Sequence, residues 1–149
     1  MAVRAVNLAR KPQSIAHTQA ASLPLSALTA WQALFEHGHV VAGQSVLMHG
    51  GAGGVGSLAV QLAHWRGLRV LASASARDVA FPRSLCADGV IDYHAKPFDE
   101  KARDVDMVLG KIGGETRERS WRVLRKGGVL VTLVSPIPPD VNWTRNVCI

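Results

Sequence analysis

The chain of 149 residues carries 48% hydrophobic and 19% charged side chains, a balance that builds one domain around one core and excludes a disordered chain. No apolar run approaches the roughly 20 residues that cross a bilayer, so the expectation is a soluble, cytoplasmic protein with no membrane partner. The formal net charge of +6 favours an anionic partner such as a phosphate-rich coenzyme, but the basic residues are scattered without an aromatic-rich RNA signature, so nucleic acid is not expected.

Residues 1–21 contain Arg4, Arg10 and Lys11, and the first acid of the chain is Glu36. That bias is shared by organellar transit peptides and by the trailing edge of a folded region. Residues 23–35 read as a helix, with Pro24 in its first turn and Leu28, Trp31, Leu34 and Phe35 on one face. His37 and His39 are the nearest approach to a metal pair, but no third ligand stands at a usable spacing, and a solvated helix end is the reading preferred.

The stretch from Gln44 to Arg66 organises the rest. Val46, Leu47 and Met48 form the apolar run of a strand buried on both faces, and Val55, Leu58, Ala59, Leu62 and Ala63 form one stripe of a helix. Between them Gly51, Gly53 and Gly56 match G-x-G-x-x-G. In a dinucleotide-binding turn the first glycine permits the tight turn, the second admits a pyrophosphate to the backbone, and the third packs helix against strand. The pyrophosphate would rest on the helix N-terminus at Gly54 and Val55, where unpaired N–H groups and the helix dipole both favour an anion.

The second strand covers residues 69–73. An acid that would hold a ribose 2′-hydroxyl belongs near its end. Ser73 stands there instead, followed by Ser75 and Arg77, and two hydroxyls with a guanidinium suit a 2′-phosphate, so the cofactor expected is NADP(H). The alternative for Arg77 is a solvated turn. A short helix over residues 79–85 tolerates Pro82 only in its first turn. Residues 89–93 make a third strand; Tyr93 at its end either lies against the adenosine or packs as an edge residue.

Residues 105–109 make a fourth strand that ends at Gly110 and Lys111. A helix over residues 115–125 carries Glu115 and Glu118 first and Arg122 and Arg125 last, which suits its dipole, and Gly127 and Gly128 are expected to cap it. A fifth strand covers residues 128–134. Beyond it Pro136, Pro138 and Pro139 argue against ladder pairing.

The fold expected is α/β, a Rossmann-type doubly wound parallel sheet of five strands in the order 3-2-1-4-5 with the sixth missing. Its parts are residues 1–20 as the remnant of a preceding region, 21–136 as the dinucleotide-binding domain and 137–149 as an irregular tail. The unpaired edge of the fifth strand calls for a second copy or another chain to cover it. Cys86 and Cys148 form no C-x-x-C pair and suit a reducing compartment.

The residues from Ala20 to Leu34, from Val46 to Gly56 and from Cys86 to Tyr93 resemble the coenzyme domain of the medium-chain dehydrogenase/reductases, in the zinc-independent, quinone oxidoreductase-like branch. The resemblance runs from about Leu8 to Pro136. It implies NADPH-dependent reduction of a quinone or an α,β-unsaturated carbonyl, by hydride transfer that requires no catalytic side chain. It also implies that Thr29 lies near the nicotinamide and that Ile112 and Val134 complete the coenzyme-binding set. Leu25 stands where metal-dependent relatives have a zinc-ligating cysteine, so zinc is not expected.

Family members also carry a GroES-like substrate domain, and its absence here implies a coenzyme half that does not turn over alone. Three positions depart from the family pattern: Gly110-Lys111 replaces a polar pair near the nicotinamide, Cys86 replaces a glycine, and Asp78 replaces a lysine near the 2′-phosphate. The alternative functions are a non-catalytic nucleotide-binding module or truncated pseudoenzyme and, last, an RNA-binding protein.

Overall fold

Residues 3–134 and the strand Val147–Cys148 are described in the computed structural model of the chain. The sheet is built from β1 (Ser45–Met48), β2 (Arg69–Ala74), β3 (Gly89–Asp92), β4 (Val105–Gly110), β5 (Leu124–Thr132) and β6 (Val147–Cys148). All pairs are parallel and the order is β3-β2-β1-β4-β5-β6, so the expected 3-2-1-4-5 arrangement is present. In the central strand Leu47 lies opposite Leu71 on β2 and Val108 on β4.

The sixth strand corrects the sequence reading. Val147 and Cys148 pair with Leu130 and Val131, so the tail is not irregular throughout and the chain itself covers that part of the β5 edge. Pro136, Pro138 and Pro139 lack the donor a ladder needs, but the pairing residues lie beyond them and carry no such restriction.

Alternation along the strands explains why both faces are apolar. Val46, Met48, Met107, Leu109 and Val131 belong to one buried cluster with Ala59, Val60 and Ala63 of α2 (Gly54–Trp65). Leu47, Val108 and Leu130, one residue out of phase, belong to a second cluster with Val123 of α4 (Glu115–Val123) and Phe98. A sheet covered on two sides has no solvated face, and its strands therefore read as continuous apolar runs.

The first helix differs from its expected bounds. The helix α1 (His17–Trp31) begins upstream of Pro24, which sits inside it, and passes directly into a π-helical turn, Gln32–His37. Its start is fixed by the Gln19 side chain, whose Oε1 accepts the Ala16 N–H at 2.9 Å. The buried face is that of Ala30, Ala33 and Leu34, at i, i+3 and i+4, while Leu28 and Trp31 on the adjoining face are exposed.

The helix α3 (Ala80–Ser84) holds Pro82 in its first turn as required. The expected glycine cap of α4 is absent, because the chain is already extended at Leu124 (φ −75°, ψ 139°) and enters β5. Gly127, with φ +78°, instead serves the irregularity where β5 steps past Val105 and Met107 of β4. Asp106 holds that edge, accepting from Ser45 N–H at 2.8 Å and from Arg125 Nε at 2.5 Å.

Pro24 gives no donor toward the Ala20 carbonyl and crowds it, a cost that an interior helix position carries in full. Pro24→Ala should therefore raise stability by about 1 to 3 kcal/mol, read as a higher urea midpoint at unchanged slope. A midpoint that stays or falls would show that Pro24 is needed to seat α1.

Candidate functional site

The turn between β1 and α2 is shaped by backbone contacts. Gly50, with φ +66°, takes the left-handed position, so the tight turn belongs to Gly50 and not to Gly51 as the motif suggests. Gly51 is buried and donates its N–H to the Ser73 carbonyl at 2.8 Å; a Cβ there would meet the Ala72 side chain at 2.7 Å. A Cβ on Gly56 would run into the Gly50 carbonyl oxygen and stand 2.9 Å from the Gly51 Cα, which is the close helix-to-turn packing expected of the third glycine. A Cβ on Gly53, the residue that caps α2, would meet first only the flexible end of the Lys111 side chain. Gly54 and Val55 open the helix beside it.

Ser73 is buried beneath this turn rather than open at the strand end. Its Oγ accepts the Gly50 N–H at 3.1 Å and lies 3.4 Å from Nδ1 of His49. Ser75 and Arg77 are brought together, but on Asp78: the Ser75 hydroxyl donates to Asp78 Oδ2 at 2.5 Å and Arg77 Nε lies 3.4 Å from the same oxygen. Those contacts, the Ser75 hydrogen bond foremost and Arg77 after it, hold the Asp78 carboxyl below its ordinary range and keep it anionic. Arg77 itself is 88% exposed and Asp78 43%, so solvent screens the pair.

The remaining candidates fall into two clefts. Tyr93 and Ile112 line a cavity of about 160 Å³ together with Ser73, His49, Phe98 and Arg119. Thr29 lines another of about 160 Å³ with Ala33, His37, Val131 and Leu133, and its hydroxyl donates to the Leu25 carbonyl at 2.8 Å. Val134 follows Leu133 at the end of β5 and is partly exposed, its N–H 3.4 Å from Thr132 Oγ1. The nucleotide-side candidates thus share one end of the sheet with the glycine turn, while Thr29 stands at the second cleft and Val134 lies next to Leu133 outside its lining.

His49, which the sequence reading passed over, is the buried centre of the first cleft. Ser120 Oγ donates to the Thr116 carbonyl at 2.7 Å, so it accepts at 2.9 Å from Nε2–H of His49. Nδ1 is then the acceptor for Ser73 Oγ–H, and the order runs without a break from Gly50 N–H to the first turns of α4. The ring packs edge-on against Phe98 at 4.6 Å, and Arg119, paired with Asp99, covers Phe98 from outside at 5.2 Å. Burial lowers the His49 pKa from 6.5 to about 4, so the imidazole is neutral at physiological pH. A lone histidine leaving a core strand gives no sequence signal; only the Ser120 hydroxyl on the facing helix reveals its task.

Among the described residues no group of three His, Cys, Asp or Glu is placed to hold a metal ion, and no helix is long and apolar enough to cross a membrane. The free thiol of Cys86 is exposed, and its φ of +70° accounts for the glycine usual at that position in the resembling family.

Residues 85–147 match the family described as "Zinc-binding dehydrogenase". A mitochondrial NAD(P)H oxidoreductase of Danio rerio is 36% identical over 138 residues, 87% of this chain and 36% of that protein. A 2-methylene-furan-3-one reductase of Solanum lycopersicum is 37% identical over 134 residues, covering 89% of this chain and 34% of the relative. The solved quinone oxidoreductase of Thermus thermophilus, described with its NADPH complex, superposes with a TM-score of 0.76 at 37% identity over 92% of this chain and 46% of that one. The chain matches the coenzyme-binding domain of the quinone oxidoreductase-like medium-chain dehydrogenase/reductases. It carries their coenzyme-binding fold, and it spans about a third of the length of these curated relatives.

The His49 network gives this medium-chain dehydrogenase/reductase domain a defined acid sensitivity. A histidine free to titrate near 6.5 when unfolded and near 4 when folded contributes stability that is complete above pH 6.5 and is lost as pH falls toward 4. The loss should reach about 3 kcal/mol over that interval, since each pKa unit corresponds to about 1.4 kcal/mol. Asp99, held low chiefly by the Arg119 hydrogen bond, adds to the slope only below that interval. Urea melts from pH 7 to 4 should show the decline in the parent and a nearly flat response in His49→Asn; parallel slopes would assign the acid sensitivity elsewhere.

Proposed function

We propose that the chain binds NADP(H) across the C-terminal ends of β1, β2 and β4 and serves an oxidoreductase that passes hydride between NADPH and a quinone or an α,β-unsaturated carbonyl. The observation that carries this reading is the cradle at Gly53. The backbone there caps a helix and lacks the Cβ that would hold an anion off, which is what a pyrophosphate requires. The names of the relatives, an NAD(P)H oxidoreductase and a 2-methylene-furan-3-one reductase, and the NADPH complex of the Thermus protein support the same coenzyme and acceptor class.

When bound, NADPH supplies a hydride from C4 of its nicotinamide to the electrophilic carbon of the acceptor. The chain's own residues position and select. Gly53, Gly54 and Val55 present backbone N–H groups to the pyrophosphate, with Gly51 and Gly56 fixing the turn from which they point. Tyr93 and Ile112 wall the adenosine side, with Ser73 and His49 fixed beneath them. Thr29 and Val134 face the nicotinamide side. Ser75 and Arg77 take the 2′-phosphate, in competition with Asp78, which holds both in the absence of nucleotide. The exposed free thiol of Cys86 supports a reducing compartment, and we place the chain in the cytoplasm; the mitochondrial designation is that of the relatives.

A non-catalytic nucleotide-binding module is the second reading, favoured by one observation: Lys111 fills the loop after β4 where the resembling enzymes have a small polar pair. Steady-state oxidation of NADPH with a simple quinone or enone separates the two, since the module binds the coenzyme and does not consume it.

Gly53→Val should abolish measurable NADPH binding in a fluorescence titration while the melting temperature stays near that of the parent, because the one tight contact of the new Cβ is with the movable end of Lys111, the Gly50 carbonyl lying at an ordinary 3.5 Å. Binding retained at the parental level would reduce the glycine turn to a connection. Coenzyme choice is tested at the next two positions. Arg77→Ala should weaken NADPH by roughly tenfold and leave NADH nearly unchanged, whereas Asp78→Asn should favour NADPH over NADH by freeing Ser75 and Arg77. Equal shifts for the two coenzymes would remove these residues from 2′-phosphate recognition.

A further inference from the structure

The loop after β4 contributes a cation that neither the fold nor the residues assigned above make use of. Lys111 follows Gly110 and turns back over the glycine turn: its Nζ lies 3.2 Å from where a Cβ on Gly50 would stand, and it is the first atom that a Cβ on Gly53 would meet. Gly53 caps α2, so the ammonium stands at the positive end of a helix 12 residues long. The side chain is partly buried, and among the described residues it has no hydrogen bond or ion pair. Burial alone holds its pKa below the ordinary lysine value.

Cations are stabilised at helix C-termini and repelled at N-termini. An ammonium withdrawn from water and set at the wrong end of a helix, with no carboxylate beside it, is electrostatically unfavourable in the empty protein. The arrangement is relieved by one kind of ligand, an anion shared between the ammonium and the helix N–H groups. Its four-carbon stem lets the ammonium move aside without disturbing the loop.

We propose that Lys111 is the cation of the pyrophosphate cradle: as the coenzyme enters, the ammonium leaves the space over Gly53 and closes on the bridging phosphates that rest against the start of α2. This rests on the coenzyme reading above and adds to it a residue that sets affinity. Lys111 then compensates on the pyrophosphate for what Asp78 takes from the 2′-phosphate end.

The test compares the parent with Lys111→Met, which keeps the length and loses the charge, and Lys111→Arg, which keeps the charge. Each is titrated with NADPH and with adenosine 2′-monophosphate, which lacks the pyrophosphate, at low and high salt. Lys111→Met should weaken NADPH by roughly ten- to a hundredfold and reduce its salt dependence, while leaving adenosine 2′-monophosphate unchanged, which also reports an intact fold. Lys111→Arg should retain most of the parental affinity. NADPH binding by Lys111→Met that equals the parent's overturns the inference, and tighter binding overturns it by making Lys111 an obstruction. Equal weakening of both ligands overturns it as well, since the loss would not lie at the pyrophosphate. A parent that binds neither ligand removes the coenzyme reading together with Lys111, whereas an indifferent Lys111→Met in a parent that binds NADPH removes Lys111 alone.

Discussion

The contact on which the structure turns is the approach of α2 to the loop that precedes it, with the Cα of Gly56 set against the carbonyl of Gly50 and the Cα of Gly51. Two backbone segments can come this close only where no Cβ separates them. The contact fixes the angle at which the chain leaves β1, lays Ala59, Val60 and Ala63 on the sheet, and directs the first N–H groups of the helix across the strand ends. The apolar interior and the anion-seeking rim therefore arise from one steric condition. Gly51 extends it sideways through its hydrogen bond to Ser73 on β2 and its close fit against Ala72.

A second constraint lies directly beneath. His49 joins the glycine turn to α4 through Ser73 and Ser120, each polar atom having a partner of the right sense. Burying an imidazole without such partners would be costly; with them it stays neutral and fixes the loops on either side of the cleft in one arrangement. Phe98, with Arg119 and Asp99 outside it, closes the ring off from water. The rim of the proposed nucleotide site is thus carried by a rigid floor, as precise positioning demands.

Charge is distributed unevenly over that rim. Near β2 the only acid of the short turn after the strand, Asp78, engages both groups suited to a phosphate, and its pairing with Arg77 is solvated enough to be weak. Over the glycine turn the opposite holds, with a cation held beside a helix N-terminus and no acid paired with it among the described residues.

The sheet order, the helical stripe of α2 and the glycine motif could be read from the sequence because each is local: apolar runs, periodicity and spacing act over a few residues, and the sheet order then follows from strand–helix alternation. The start of α1 and its buried face could not, because Pro24 is tolerated inside the helix and the stripe that meets the sheet is Ala30, Ala33 and Leu34, whose small alanines signal less strongly than the exposed Leu28 and Trp31. The β6 pairing was hidden by the prolines before it, since its two residues hold their place through contact with β5 and carry no pattern of their own. Ser73 illustrates the division within the site. Its position at the end of β2 was fixed by sequence, but whether its hydroxyl faced a phosphate or the loop depended on Gly50 and His49 reaching it across the sheet, and that is a matter of three-dimensional packing. The same holds for Lys111, whose place in the chain is evident and whose place over Gly53 is decided only when the loops after β1 and β4 come together.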